Sequence, residues 1–530
     1  MKLTVLSVAM AALYCAGLTR PSLAAPVEIR GTTVKQTPSA VKRRPNIILL
    51  VADDLGWGDL SSYGHPSVRT PNLDRMAAEG QRWTNFYVSA PTCSPSRGAM
   101  LTGRTETRTG LYGVRNGVAI ENDPYGFPDR ETTIATVLKR AGYNTALFGK
   151  WHLGDAPRAY PTRHGFDYWW GTPLSNDAFF IGGTTNEALR KLMAAGTTRE
   201  QILQLYVTQA RAAFTNPKAE WWNLPLIKSQ VGGQSMSQAG SQFEGQFRDE
   251  LLERPINQET YEARLTDEVL NYLRAPRKAP FFIMVGFEKP HLPHVPGKAF
   301  AGKSAAGPFG DVMAELDHNI GKILDALKQS GQAKNTLVVF VSDNGPWYLF
   351  EEFGGSAGML RDAKFSTYEG GVRVPAIFWQ PGVIKPALIS DIASSYEFMP
   401  TFAAMAGAPL PNTVLDGYNL SNTLNHGAPS PRSTMPYYSN GRLMAWRDGD
   451  WKLNIIEANG RTYASKKLDK PTLYHLGRDP GEKFDLANAE PAVAERLLQA
   501  AHTFEASFAK VEPEFDRMLK PVAATPSASK

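Results

Sequence analysis

Short apolar runs alternate with amphipathic segments over most of the chain. The runs are apolar at consecutive rather than alternate positions, which is typical of strands buried on both faces; they cover residues 46–52, 144–149, 280–286, 337–341 and 376–379. Other segments repeat apolar residues at helical spacing or carry helix start and stop signals, and the predicted helices cover residues 70–80, 131–142 and 311–329. This order predicts an α/β fold in which a large, mainly parallel sheet is sandwiched by helices.

The pattern changes near residue 426, where a segment rich in Pro, Ser and Gly leads into shorter apolar runs. Residues 444–456 contain a hairpin turn at 447–450, residues 473–476 predict another strand, and a helix begins near residue 492. We therefore expect three parts after the N-terminal region: a catalytic domain over residues 45–425, a smaller C-terminal α+β subdomain over residues 426–522, and a disordered tail over residues 523–530.

The first residues have the pattern of a secretory signal. Lys2 is followed by an apolar stretch over residues 3–18 and by small residues near position 24. A membrane anchor is the alternative, but the apolar run is short for a span, and we expect no membrane span elsewhere. The sequence predicts a signal peptide over residues 1–24, a polar linker over residues 25–44, and export to the periplasm or the outside.

Charge and cysteine content narrow the function. The formal net charge is +6 over 530 residues, with acids interspersed among the bases, so we expect no nucleic-acid partner. The chain has two cysteines, and Cys15 lies in the predicted signal peptide. Cys93 is then the one mature thiol. An exported protein without disulfides is unusual, which suggests a different use for Cys93.

Chemically active side chains follow four of the predicted strands. They are Asp53 and Asp54 after the first, Lys150 and His152 after the second, Glu288, His291 and His294 after the third, and Asp343 and Asn344 after the fourth. Any one pair is an ordinary turn or cap. Ligands in α/β sheets bind at the carboxyl ends of the strands, so all four together predict a site at that edge.

The residue types at this edge indicate a metal and an anion. Asp53, Asp54, Asp343 and Asn344 offer only oxygen ligands, which favours Ca²⁺, with Mg²⁺ as the alternative, over zinc. The candidate donors to an anion are Arg97, Lys150, His152, His291 and Lys364. A metal beside several cations suits a compact oxyanion such as sulfate or phosphate.

Cys93 lies in a segment of turn formers, and Pro95 suits the first turn of a helix that ends near Gly103. We expect Cys93 just before the helix N-terminus, a position that favours anions and lowers the pKa of a thiol. Two uses follow from this placement: a thiolate nucleophile, or a chemically modified cysteine.

Two segments of the chain resemble the signatures of a known protein family. Residues 93–97, Cys-Ser-Pro-Ser-Arg, are similar to the C-x-P-x-R signature of type I sulfatases, members of the alkaline phosphatase superfamily, and residues 142–154 resemble the second family signature. The resemblance extends from about residue 45 to 486. It implies oxidation of Cys93 to Cα-formylglycine by a formylglycine-generating or equivalent maturation enzyme, and hydrolysis of small-molecule sulfate esters.

The resemblance also assigns roles to the candidate residues. It implies Ca²⁺ ligands at Asp53, Asp54, Asp343 and Asn344, with residue 93 as a further ligand. Arg97 and His152 match residues that contact the hydrated aldehyde. Lys150, His291 and Lys364 match sulfate-binding residues, and Ser175 is a looser match to a sulfate-pocket serine. Glu288 and His294 match no family role.

The implied mechanism begins with a hydrated aldehyde at residue 93, one hydroxyl of which attacks sulfur. His291 or Lys364 then protonates or stabilises the leaving oxygen, and His152 takes the proton of the second hydroxyl. Two alternatives stay open: a phosphonate monoester or phosphodiester hydrolase using the same site, and a non-catalytic sulfate- or carbohydrate-binding protein on this scaffold. The sequence does not distinguish aryl from sugar sulfates.

Overall fold

The computed structural model describes residues 44–519, except residue 116, positions left out between 181 and 221, and residues 233–245. The predicted signal peptide, nearly all of the linker and the predicted tail lie outside the described residues. The boundaries of the domains stay predictions. Among the described residues, no helix combines the length and apolar character needed to cross a bilayer.

The main sheet confirms the predicted α/β fold. It has ten strands in the order β10-β2-β9-β8-β1-β7-β3-β4-β5-β6. The bounds are β1 Asn46–Asp53, β2 Gln81–Tyr87, β3 Asn144–Gly149, β4 Tyr168–Gly171, β5 Leu226–Val231, β6 Phe247–Glu253, β7 Phe281–Pro290, β8 Thr336–Ser342, β9 Arg373–Trp379 and β10 Ala387–Ser394.

The centre of the sheet is parallel, and this part forms the site. β1 pairs in parallel with both β7 and β8, so that Ile47 lies beside Phe282 on one side and Leu337 on the other. β3 continues the parallel array next to β7. Antiparallel pairs lie further out, where β9 joins β8 to β2 and where β4 meets β5. The carboxyl ends of β1, β3, β7 and β8 therefore meet at one edge.

Helices cover both faces of this sheet. Their bounds among the described residues are α1 Pro71–Glu79, α2 Cys93–Thr102, α3 Glu106–Thr109, α4 Ile134–Arg140, α5 Gln258–Arg274, α6 Gly307–Gln329, α7 Glu369–Val372, α8 Phe398–Ala406, α9 Ser421–His426 and α10 Pro491–Ala506. Side chains alternate along β1: Leu49 packs in a core with Leu101 of α2, and Leu50 in a second core with Leu316 of α6. Burial on both faces explains the continuous apolar runs.

The C-terminal region forms a separate antiparallel sheet, as predicted. Its strands are β11 Thr434–Ser439, β12 Arg442–Asp448, β13 Trp451–Ala458 and β14 Ser465–His475, in that order. The predicted turn joins β12 to β13, and Gly449 supplies the positive φ of 56° that a tight turn requires. Leu497 of α10 packs against Leu453 and Leu473 on this sheet.

Candidate active site

The ends of two neighbouring strands place the acidic residues. Asp53 is the last residue of β1, and Asp343 directly follows β8. The main-chain N–H of Asp54 donates to Asp343 Oδ1 at 3.2 Å, and the N–H of Asp343 donates to Ala52 at 3.1 Å. Asp54 has a φ of 59°, a left-handed conformation that turns the chain sharply after the strand.

Cys93 lies among these carboxylates. It is the first residue of α2, and its Sγ is 3.4 Å from Asp53 Oδ1 and 3.7 Å from Asp54 Oδ1. One ligand atom from each of Asp53, Asp54, Cys93 and Asp343 lies within 4.8 Å of the others, and all four residues are buried. The structure thus brings four of the five predicted metal-site residues into one cluster, called the acidic cluster below.

Three buried cations pair with the three carboxylates of the acidic cluster. Lys150 Nζ donates to Asp53 Oδ2, Lys364 Nζ lies 2.8 Å from Asp54 Oδ2, and Arg97 Nε lies 2.8 Å from Asp343 Oδ2. The three pairs cancel in formal charge. Such pairs lose most of their hydration, so removing one partner leaves a buried uncompensated charge.

Arg97 reaches the acidic cluster because helix and sheet meet closely. It lies four residues after Cys93 on α2, so both side chains are on the same face of the helix. Its Nη1 also donates to the carbonyl of Lys150 at 3.1 Å. A Cβ at Gly286 on β7 would lie 3.1 Å from that Nη1 and 2.5 Å from the same carbonyl oxygen, so only glycine fits there.

Asn344, the fifth predicted ligand, also lies at the cluster. Its Nδ2 donates to Asp54 Oδ1 at 2.7 Å, whereas its Oδ1 is buried without a hydrogen-bond partner. A buried amide oxygen without a partner beside three carboxylates fits a hard divalent cation, which would use such oxygens as ligands. The donor set therefore suits Ca²⁺ or Mg²⁺.

The two predicted histidines border the cluster in different ways. His291 Nε2 lies 3.5 Å from Asp54 Oδ2. His152 has a left-handed φ of 59°, and its Nδ1 is buried without a hydrogen-bond partner. Burial, followed by the charges of Lys150 and Arg97, holds the pKa of His152 well below its ordinary value. His152 is therefore neutral at physiological pH and able to accept a proton.

The pKa and the position of the Cys93 thiol differ from the prediction. Burial raises the pKa of Cys93 well above its ordinary value, although Lys150 and Lys364 act in the opposite direction. The expectation of a lowered pKa is wrong because it considered only the helix N-terminus and not the dehydration of the site. Cys93 also lies inside the first turn of α2 rather than before it.

Ser175 lies one residue before Asn176, whose side chain contacts His291. Its hydroxyl donates to Asp177. Burial would raise the pKa of Asp177, but the charge of His291 and the hydroxyl of Ser175 lower it, so this carboxyl is ionised close to the site. Ser175 is thus near the predicted anion donors, with its hydroxyl engaged by an acid that the sequence did not predict.

Sequence reasoning missed an aromatic contact of the cluster. Lys364 Nζ lies 4.3 Å from the centroid of the Trp347 ring, and the rings of His291 and Trp347 have centroids 5.1 Å apart. Trp347 comes three residues after Asn344, so its closeness in sequence was a usable signal. The Trp347 indole in turn contacts Tyr463 of the C-terminal region, which no local pattern indicated.

Comparison with known proteins identifies the family. Residues 45–408 match the sulfatase family, and residues 430–529 match the C-terminal region of aryl-sulfatase. The chain is 37% identical to arylsulfatase A of Homo sapiens over 480 residues, with 87% of each chain covered. It is 35% identical to N-acetylgalactosamine-6-sulfatase of Homo sapiens, covering 87% of this chain and 84% of that protein.

A solved structure agrees with these sequence relatives. The PsFucS1 sulfatase from Pseudoalteromonas sp. superimposes with a TM-score of 0.70 at 28% identity, covering 88% of this chain and 90% of that one. The resemblance inferred from residues 93–97 and 142–154 is thereby confirmed. The chain belongs to the sulfatase family of sulfuric ester hydrolases.

Proposed function

We propose that the chain hydrolyses aryl or sugar sulfate monoesters with a Cα-formylglycine formed from Cys93 and a Ca²⁺ ion. The observation that carries the proposal is the position of Cys93, which lies within hydrogen-bond range of Asp53 and Asp54. The reacting residue and the metal-ligand carboxylates thus occupy one buried place. Asp53, Asp54, Asp343 and Asn344 would hold the cation.

With a bound cation, the charge balance of the cluster would suit an anionic substrate. Lys150, Lys364 and Arg97 neutralise the three carboxylates in formal charge. A divalent cation would make the cluster net positive, and this positive charge suits a sulfate ester, which is an anion, and the sulfate dianion released from it.

The raised pKa of Cys93 argues against a thiolate nucleophile. Burial disfavours the thiolate of Cys93, and the thiolate is the reactive form of a cysteine. An aldehyde at residue 93, once hydrated, supplies a nucleophilic oxygen for sulfur and a second hydroxyl for release of sulfate. This chemistry needs no thiolate.

The surrounding residues divide the remaining tasks. Lys150, Lys364 and His291 border Asp53 and Asp54, and we assign them to the oxygens of the sulfate group, with Ser175 beside them. Arg97 is held by Asp343 and orients the group at residue 93. His152 is neutral and accepts the proton whose removal releases sulfate.

The leaving oxygen needs a proton or a positive charge. Lys364 and His291 both contact Asp54 Oδ2 and both lie against Trp347. They therefore approach the site from the same side. We place the leaving group on this side.

Mass spectrometry and kinetics on one preparation test the proposal. A peptide that spans residue 93 should be lighter than the cysteine form by about 18 Da, or nearly unchanged in mass but without sulfur if the aldehyde is hydrated. The same preparation should turn over an aryl sulfate much faster than an aryl phosphonate. Full activity of Cys93→Ala, or complete alkylation of Cys93 in active enzyme, would exclude the formylglycine mechanism.

The proposal implies two features of the protein's maturation, one chemical and one concerning export. Formation of the aldehyde requires a maturation enzyme that oxidises Cys93. The predicted signal peptide over residues 1–24 implies export to the periplasm or the outside. Detection of the protein without residues 1–24 in an exported fraction would test the second feature.

A further inference from the structure

His291 has one ring nitrogen enclosed by acceptors and the other directed at the acidic cluster. Nδ1 lies 3.0 Å from Asn176 Oδ1 and also contacts the carbonyl of Leu292. Nε2 lies 3.5 Å from Asp54 Oδ2. Because an amide oxygen and a carbonyl oxygen only accept hydrogen bonds, Nδ1 must carry a hydrogen.

The carbonyl oxygens around Asn176 fix the orientation of its amide. Its Nδ2 lies 3.4 Å from the carbonyl oxygen of Pro293 and 3.5 Å from that of His291. Reversing the amide would place Oδ1 against these two acceptors. The amide oxygen therefore faces His291 Nδ1. Since this oxygen only accepts hydrogen bonds, the carbonyl oxygens that orient the Asn176 amide also imply that Nδ1 carries a hydrogen.

Asn176 is itself held at both ends of its main chain. Its N–H donates to Glu288 Oε2 at 3.0 Å, and its carbonyl accepts from Gln258 Nε2 at 3.1 Å. The other oxygen of Glu288 accepts from the Thr172 hydroxyl. Glu288, which matched no family role in the sequence, thus anchors the segment that carries Asn176.

We propose that Asn176 is a positioning residue that accepts a hydrogen bond from Nδ1–H of His291 and thereby directs Nε2 toward the sulfate ester. The proposal rests on the proposed function, in which His291 contacts the ester. Asn176 acts only through the imidazole ring. A ring held in this way presents a single nitrogen to the substrate.

A double-mutant cycle tests whether Asn176 acts through His291. Asn176→Leu removes the acceptor at similar volume, and we expect kcat/KM for an aryl sulfate to fall by about tenfold or more. In a His291→Ala background the same substitution should change kcat/KM by less than about twofold, since no ring remains to be positioned. Equal losses in both backgrounds would overturn the proposal.

Gln258→Leu is the matched control. It removes a hydrogen bond to the main chain of Asn176 but leaves the contact with His291 intact. We expect its kcat/KM to stay within about twofold of the wild-type value. A loss as large as that of Asn176→Leu would show that any disturbance of this segment is sufficient, and would overturn the assignment to the side chain.

A spectroscopic readout does not depend on turnover. Long-range nitrogen–proton correlation spectra of protein labelled with ¹⁵N-histidine distinguish the two neutral tautomers and the doubly protonated ring, and the signal absent from His291→Ala assigns the ring. We expect the hydrogen on Nδ1. A ring with its hydrogen on Nε2 alone would overturn the proposal, whereas a wild-type protein that lacks sulfatase activity but has a hydrogen on Nδ1 would overturn only the proposed function.

Discussion

The indole Nε1 of Trp347 donates a 2.6 Å hydrogen bond to the hydroxyl of Tyr463. Trp347 belongs to the main domain beside Asn344, and Tyr463 lies in the loop between β13 and β14 of the C-terminal sheet. The Trp347 ring also contacts Lys364 and His291. Through Trp347, the loop between β13 and β14 therefore contacts the candidate active site.

Removing this hydrogen bond should weaken both stability and catalysis. Tyr463→Phe leaves the buried Trp347 Nε1 without an acceptor, which costs about 1–3 kcal/mol. We expect a lower melting temperature and a reduced kcat/KM for aryl sulfates, because Trp347 supports Lys364 and His291. Thermal denaturation and steady-state kinetics measure the two effects. Tyr418→Phe, at an exposed tyrosine, serves as control; unchanged values for Tyr463→Phe would contradict the prediction.

Gly286→Ala should damage the site through backbone crowding. The added Cβ would meet the Lys150 carbonyl at 2.5 Å and Arg97 Nη1 at 3.1 Å. Overpacking of this kind costs about 1–3 kcal/mol and would displace Arg97 from Asp343. We expect lower activity together with a lower free energy of unfolding. Gly297→Ala, where the nearest atom to the added Cβ is a glutamate side-chain oxygen at 3.0 Å, should be milder.

Metal removal should destabilise the folded protein as well as inactivate it. A ligand that binds only the native state at 100 times its Kd contributes about 2.7 kcal/mol. Chelation should therefore lower the melting temperature, and Ca²⁺ should restore it. The shift should shrink in Asp343→Asn, which has lost one proposed ligand. An equal shift in that variant would place the metal elsewhere.

Glu106 should make stability fall as pH rises. Burial raises the pKa of Glu106 from its ordinary 4.5 to about 7, while the N–H of Gly441 and the charge of Lys510 oppose this. The unfolded chain therefore loses this proton near pH 4.5 and the folded chain only near pH 7, so stability declines across that window. The full decline in the free energy of unfolding is about 3 kcal/mol, at 1.36 kcal/mol per pKa unit.

Glu106→Gln should remove that decline. Urea denaturation at pH 5, 6, 7 and 8 compares the two proteins, and the variant should gain stability relative to wild type as pH rises. Glu495→Gln, at an exposed acid on α10, is the control. A parallel pH dependence in wild type and Glu106→Gln would exclude Glu106 as the source.

Sequence patterns predicted those features that follow from strand order. The apolar runs gave β1, β3, β7, β8 and part of β9, and parallel strands necessarily bring their carboxyl ends to one edge. β2 and β10 were not predicted because their exposed or polar positions interrupt the apolar pattern: residues 387–391, the first five of β10, are exposed or only partly buried. Strands at the edge of the sheet, such as β10, or next to it, such as β2, carry a weaker hydrophobic signal.

The sequence did not predict which side chains pair within the site, and the reason is different. Lys150 follows a strand just as Asp53 does, but their ion pair depends on rotamers and on packing between distant segments. The same holds for the pKa of Cys93, since the local helix end argued for a lower value and burial by the whole domain raises it. Local signals located the residues, and tertiary packing determines their protonation.

The burial of Cys93 has a consequence for how the enzyme is produced. Its side chain is 1% exposed in the folded chain, so a maturation enzyme acting on the native protein would find no accessible sulfur. Under the proposed function, oxidation would then precede closure of the sheet over α2, and two rates, that of modification and that of folding, would set the yield of active enzyme. Slower folding should raise the active fraction without any change in sequence.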